Sequence, residues 1–361
     1  MKKRILGLDL FRFLVALGIM AYHYFFIGVL QGYYSTKVFH GLAFWGEFGV
    51  DIFFIISGFV ILLSAEHYKN CWSFLKSRAK RIYPAFVLCS ILLIFTGYLM
   101  PNTNIKDLLF RWMNSLTFMS DLWKVAPLSG VYWTLMVEVK FYILTALIIK
   151  TKLWEKYKYL LLIMWCLLSL VNSFALNNSI INMIFILKYT GHFVFGIVLY
   201  MFNKGERNKW MILLSVVSIW LIYRNMISYT DWIRELFPGL IYTNFDILFG
   251  LLIIISIIYI TSNVYKTILP KTTIVRLGAW SFTLYLTHAD FGYFIRTQYY
   301  FRLIRIIPFK INEHIVMIVI IIASLIVSYV LLLLSEKIST FLKVYFKLVR
   351  TSNDISTEKS K

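Results

Sequence analysis

Apolar residues gather into long runs separated by short polar connections, and that spacing sets the architecture. Ten runs, roughly 8–30, 48–66, 82–100, 130–150, 158–175, 180–202, 209–226, 240–261, 276–297 and 314–342, approach the roughly 20 residues needed to cross a hydrocarbon core about 30 Å thick. The pattern predicts an all-α chain, a polytopic transmembrane bundle of about ten spans. Residues 1–350 are expected to form one membrane domain, and the polar stretch 351–361 is expected to be a disordered cytoplasmic tail.

Charge orients the bundle. With the N-terminus inside, about 24 Lys and Arg fall in inside segments against about 10 outside, an asymmetry that predicts cytoplasmic N- and C-termini. The basic start, Met1 to Arg4 before an apolar run, imitates a signal peptide. It has no small-residue cleavage site and carries Arg12 and His23, so it is read as a retained first helix. No connection exceeds about 30 residues, and any chemistry is expected inside the bundle.

Composition agrees: 60% of residues are hydrophobic, 18% aromatic and 15% charged. The formal net charge of +20 does not point to nucleic acid, because the basic residues sit in connections and termini. Cys71, Cys89 and Cys166 form no CxxC pair or His-rich spacing, so neither a disulfide framework nor a metal site is expected.

An ionisable side chain inside a span costs on the order of 3 kcal/mol, so each one asks for a partner, water or a substrate. Arg12 and His23, eleven residues apart, fall within about 20° on one helical stripe, roughly 16 Å from each other. Snorkelling by Arg12 and one interhelical bond from His23 are the plain alternative. Glu138 is expected at a depth similar to His23, where its carboxylate suits orienting an imidazole; Lys140 is its alternative partner. Asp51 suits a hydroxylated acceptor, whereas Ser57 and Gly58 suit close helix packing. Arg78 and Arg81, three apart in an inside loop, suit the phosphates of a nucleotide-bearing donor or anionic lipid. Tyr285 and His288 stand one turn apart, as if lining one cavity. Lys188, His192 and Asp246 are expected to make interhelical hydrogen bonds.

Five blocks in order resemble the membrane-bound acyltransferase-3 family. They are Arg12 to His23, Gly49-Val50-Asp51 through Phe59, Arg78 to Arg81 to Pro84, Trp133-Thr134-Leu135 to Glu138 with Phe141-Tyr142, and Ser281 through Tyr285 to His288. Thr134 stands where Ser is usual. The resemblance covers nearly the whole chain and implies O-acylation of sugars from cytoplasmic acyl-CoA, with essential roles for Arg12 and His23 and functional roles for Arg78 and Arg81.

Residues and resemblance together give a set of expectations. His23 is the base or acyl carrier, with Glu138 and Arg12 as catalytic partners. Acetyl-CoA meets Arg12, Arg78, Arg81, Ser57 and Tyr285. A glycan or lipid-linked sugar meets Asp51, Trp133 and His288, in the cytoplasmic membrane of a bacterium. A transporter or flippase of a lipid-linked glycan is the alternative, although no inverted repeat or paired broken helices is evident.

Overall fold

A computed structural model describes residues 4–298 and 312–358, and no strand occurs among them. The helices are α1 (Leu6–Leu30), α2 (Gly41–Ala65), α3 (Cys71–Tyr98), α4 (Ile105–Ser115), α5 (Gly130–Thr151) and α6 (Leu153–Leu176). They continue with α7 (Ser179–Phe185), α8 (Leu187–Asn203), α9 (Lys209–Leu236), α10 (Asn244–Ser262), α11 (Lys271–Gln298) and α12 (Glu313–Glu358). The chain is all-α, as its apolar runs predict.

Short side-chain acceptors mark where helices begin. Asn70, Asn104, Asn178 and Asn208 each accept a backbone N–H from the first turn of α3, α4, α7 and α9. Thr243 and Asp246 close a reciprocal capping box on α10. Asp246 is therefore a cap, and not the interhelical contact expected of it.

Among the described residues, eight helices are long and apolar enough to cross a bilayer, and the bent pair α7–α8 makes nine if taken as one span. The expected span 276–297 corresponds to α11, which at 28 residues extends about 42 Å. It fails on apolarity, because Arg276, His288, Asp290 and Arg296 interrupt it. Its main packing partners are α1 and α12, with α3 behind, so protein surrounds much of its polar surface. At the chain's end α12 runs as helix to Glu358, taking in 351–358 of the stretch expected to be disordered; 359–361 and 1–3 lie outside the described residues.

The α7–α8 break bends by 58° at Ile186, whose φ of +48° is costly for a β-branched residue. Side chains satisfy the freed backbone groups. Ser169 donates to the Leu187 carbonyl at 2.8 Å, Trp165 to that of Phe185 at 2.8 Å, and the Lys188 N–H reaches Asn182 Oδ1 at 2.9 Å. Non-helical backbone at membrane depth persists only under such cover.

α2 packs extensively on α8. A Cβ on Gly58 would stand 2.3 Å from the Phe193 carbonyl oxygen, and one on Gly196 2.0 Å from that of Ile55, so two glycines set this close approach. The packing role read for Gly58 holds.

Between α3 and α5 lies a helix that hydropathy runs do not reveal. α4 spans only 11 residues and exposes Ile105, Leu109 and Met113 on one side. Its other side is tied to α3 by the Trp112 indole N–H, 3.0 Å from Ser90 Oγ.

Candidate active site

A cavity of about 1380 Å³ opens at the bundle end that carries Arg4, Lys80, Lys204 and Lys271. Arg12, Arg78, Arg81 and Glu138 all line it, brought from α1, α3 and α5. Thus one site collects four residues that the sequence singled out across 126 positions.

The arginines differ in depth. Arg78 is 8% exposed; its Nη2 donates to Ser64 Oγ at 2.8 Å and its guanidinium lies 5.5 Å from the Phe74 ring centre. Its Nε and Nη1 are buried without a hydrogen-bond partner, as is Nε of Arg12. Arg81, one turn further along α3, is exposed at the mouth. Arg81, Glu138 and Asp9 are charged neighbours of Arg12, and Asp9 is itself held by Arg4. Buried N–H donors without a partner are unusual, since an unmet donor costs about 1–3 kcal/mol, more when charged, and here they belong to two residues that line one cavity.

Glu138 is engaged differently from expectation. Tyr142, one turn along α5, donates its hydroxyl to Glu138 Oε1, and Ser57 Oγ stands 3.5 Å from the same oxygen. Lys140, the alternative partner, is ion-paired with Asp121 of the α4–α5 connection. No contact joins Glu138 to His23. Distance from a helix end sets a residue's depth along its own helix, but not which face of a second helix its side chain meets.

His23 begins a π-helical turn, His23–Ile27, inside α1. Such one-residue bulges widen the helix and frequently accompany functional positions. The His40 N–H donates to the Phe25 carbonyl at 2.9 Å within this turn. The His23 ring meets that of His288 edge to face, centres 4.8 Å apart, with His288 Nε2 3.2 Å from His23 Nδ1. His23 does not line the cavity; Arg12 does.

Polar side chains bridge the interval. One turn from Glu138 on α5, Thr134 Oγ1 lies 2.9 Å from the Tyr285 hydroxyl, and the Tyr285 and His288 rings are 5.8 Å apart on α11. In order, Glu138 on the cavity wall, Thr134, Tyr285 and His288 lead to His23. Ser57 and Tyr285, expected at the donor, do not line the cavity: Ser57 stands beside Glu138, and Tyr285 belongs to this chain.

Of the expected acceptor contacts, Asp51 and Trp133 share one cluster around Phe54, Tyr189 and His192, and His288 lies elsewhere. Asp51 Oδ1 lies 2.7 Å from Nε2 of His192, which is fully buried, and 3.5 Å from Asn225 Nδ2. His192 thereby meets Asp51 across the α2–α8 contact, but without the hydrogen-bond geometry expected of it. Trp133 stacks on Tyr189, centres 5.5 Å apart, beside Phe54. His288 faces His23, apart from both. Lys188 is exposed over the Tyr189 ring. Ser64 beneath Arg78, and Asp121 beside Lys140, carry no local sequence signal; Asp9, an acidic residue in the first turn of α1, does.

Comparisons with known proteins now bear on this arrangement. The family model for the acyltransferase domain of the acyltransferase-3 family matches residues 5–333. An O-acetyl transferase of Shigella phage Sf6 is 29% identical over 231 residues, 60% of this chain and 68% of the phage protein. The O-acetyltransferase OatA of Staphylococcus aureus is 30% identical over 163 residues, 40% of this chain but 24% of that protein. A putative acetyltransferase of Acidianus two-tailed virus is 24% identical over 253 residues, 67% of this chain and 72% of the viral protein. No solved structure matches. With a family match running through all of α1 to α11, and with the arginines of α1 and α3 gathered about one cavity, the chain belongs to the acyltransferase-3 family.

Proposed function

We propose that this multi-pass membrane protein is an O-acetyltransferase, taking acetyl from acetyl-CoA at the basic cavity and delivering it to a hydroxyl of a glycan or lipid-linked sugar on the opposite side of a bacterial cytoplasmic membrane. The termini are cytoplasmic, so the basic mouth faces the donor. The observation that carries this reading is the set of buried, unpartnered N–H groups of Arg78 and Arg12 on the wall of one cavity. Phosphate oxygens are the acceptors that planar guanidinium donors suit best. O-acetyltransferase is also the name carried by two of the relatives.

The phosphorylated end of the donor stays with Arg78, Arg81 and Arg12, and the pantetheine arm follows the polar side chains toward His23. There Nε2 of His23 takes the proton of the acceptor hydroxyl as its oxygen attacks the thioester carbonyl. The C–S bond breaks, and the departing thiolate receives that proton. Glu138 holds the inner end of the donor site through Tyr142 and Ser57.

Purified protein in liposomes with radiolabelled acetyl-CoA tests the reading. Label transfer to a polysaccharide extract, with release of free thiol, is expected. General-base removal typically costs about 100- to 10,000-fold, so His23→Ala should bring transfer to background while the protein stays monodisperse. Sugar movement without thiol release would overturn the enzyme reading, and an active His23→Ala would overturn the base.

A further inference from the structure

The two imidazoles constrain each other's protons. His288 is fully buried on α11, and its Nδ1 lies 3.1 Å from the Leu284 carbonyl oxygen and 2.9 Å from that of Tyr285. Carbonyls only accept, so Nδ1 carries the hydrogen and Nε2 of the neutral ring presents a lone pair. That lone pair faces His23 Nδ1 at 3.2 Å. His23 Nδ1 is also 3.0 Å from the Ile19 carbonyl oxygen, so it too must donate, sharing its hydrogen between Ile19 and His288. The remaining nitrogen of His23, Nε2, is then the one with a free lone pair.

The backbone that carries His288 is fixed from the other side. Tyr24, the residue after His23, donates its hydroxyl to the His288 carbonyl at 2.6 Å and meets Ser324 Oγ at 2.7 Å. A Cβ on Gly292, one turn beyond His288, would stand 2.5 Å from that same hydroxyl, so α1 and α11 meet closely here. Register between the two rings therefore does not depend on long flexible side chains.

We propose that His288 is a positioning residue for acyl transfer: a neutral imidazole that fixes the tautomer and ring angle of His23, the office a carboxylate holds in many histidine-based sites. This rests on His23 being the base and goes beyond it, by naming what orients the ring and excluding Glu138 from that task. A neutral acceptor orients without adding a counter-charge, so the proton gathered on His23 is passed on readily to the departing thiolate.

Three variants separate orientation from packing. In His288→Gln an amide oxygen reaches the place of Nε2; in His288→Asn it falls short; in His288→Leu no acceptor remains. Expected for Asn and Leu is a fall of about 100-fold in kcat with donor KM within about twofold, and for Gln a return to within about tenfold of the parent. A Gln variant as slow as Leu, or a change confined to KM, would overturn the proposal. Nitrogen-15 spectra of histidine-labelled protein read the tautomer whether or not an acceptor is at hand. The parent should show His23 protonated on Nδ1, and Leu a mixture of both forms; an Nε2-protonated His23 in the parent overturns the proposal. Absence of transfer by the parent would count against the enzymatic function alone.

Discussion

Replacing Arg78 by methionine should weaken donor binding while leaving the empty protein as stable as before, or more so. The guanidinium is buried, and of its donors only Nη2 has a partner, Ser64. Without donor, Nε and Nη1 are desolvated for no return, and exchanging such a group for an apolar one of similar length is often neutral or stabilising. With donor, those N–H groups have phosphate oxygens to meet. Charge-assisted bonds contribute about 1.5–3 kcal/mol each, and allowing for overlap between two of them the loss is about 2–3 kcal/mol, roughly 30- to 150-fold in Kd. Calorimetric titration with acetyl-CoA measures this, and acetyl-pantetheine, which has no phosphates, is the control: its affinity should not change. Thermal unfolding in detergent without donor should show an equal or higher Tm. An unchanged acetyl-CoA Kd, or an equal loss for acetyl-pantetheine, would refute the assignment of Arg78 to phosphate.

Two further outcomes test the scaffold. Gly196→Ala drives a Cβ against the Ile55 carbonyl at the α2–α8 contact, and overpacking of this kind costs about 1–3 kcal/mol, read as a lowered Tm; an unchanged Tm would mean the helices are free to part. Lys140→Met strands Asp121, whose side chain is 34% exposed, so the loss should be about 2 kcal/mol, below the range for a fully buried pair, and Asp121→Leu added to it should recover most of that; failure to recover would show that Lys140 serves some other group.

Hydropathy made nearly the whole architecture readable, because a lipid solvent leaves little choice of structure for a run of twenty apolar residues. It misjudged α11 in kind: a helix walled by α1 and α12 need not be apolar, so its place was read correctly while its composition sets it apart from the lipid-facing spans. α4 escaped because eleven residues make an amphipathic stripe too short for a span. Arg12, Arg78, Arg81 and Glu138 were recognisable as charges out of place, and the cavity joins them. Their partners were not recognisable. Helical periodicity says which residues of one helix share a face, but not which face of another helix it meets, so the pairing of His23 with a residue 265 positions away, or of Asp51 with His192, had no local trace.

The widened turn at His23–Ile27 makes the outer end of α1 a phase joint. One surplus residue turns everything beyond it by about 100° relative to an unbroken helix, leaving the stripe from Arg12 to His23 untouched. Gly28 then presents its carbonyl to the N–H groups of Tyr33 and Tyr34, folding the connection back over the helix tip. The geometry of the stretch from Arg12 to His23 and the shape of the connection beyond it are in this way decoupled, and that connection is free to change without disturbing the imidazole beneath it.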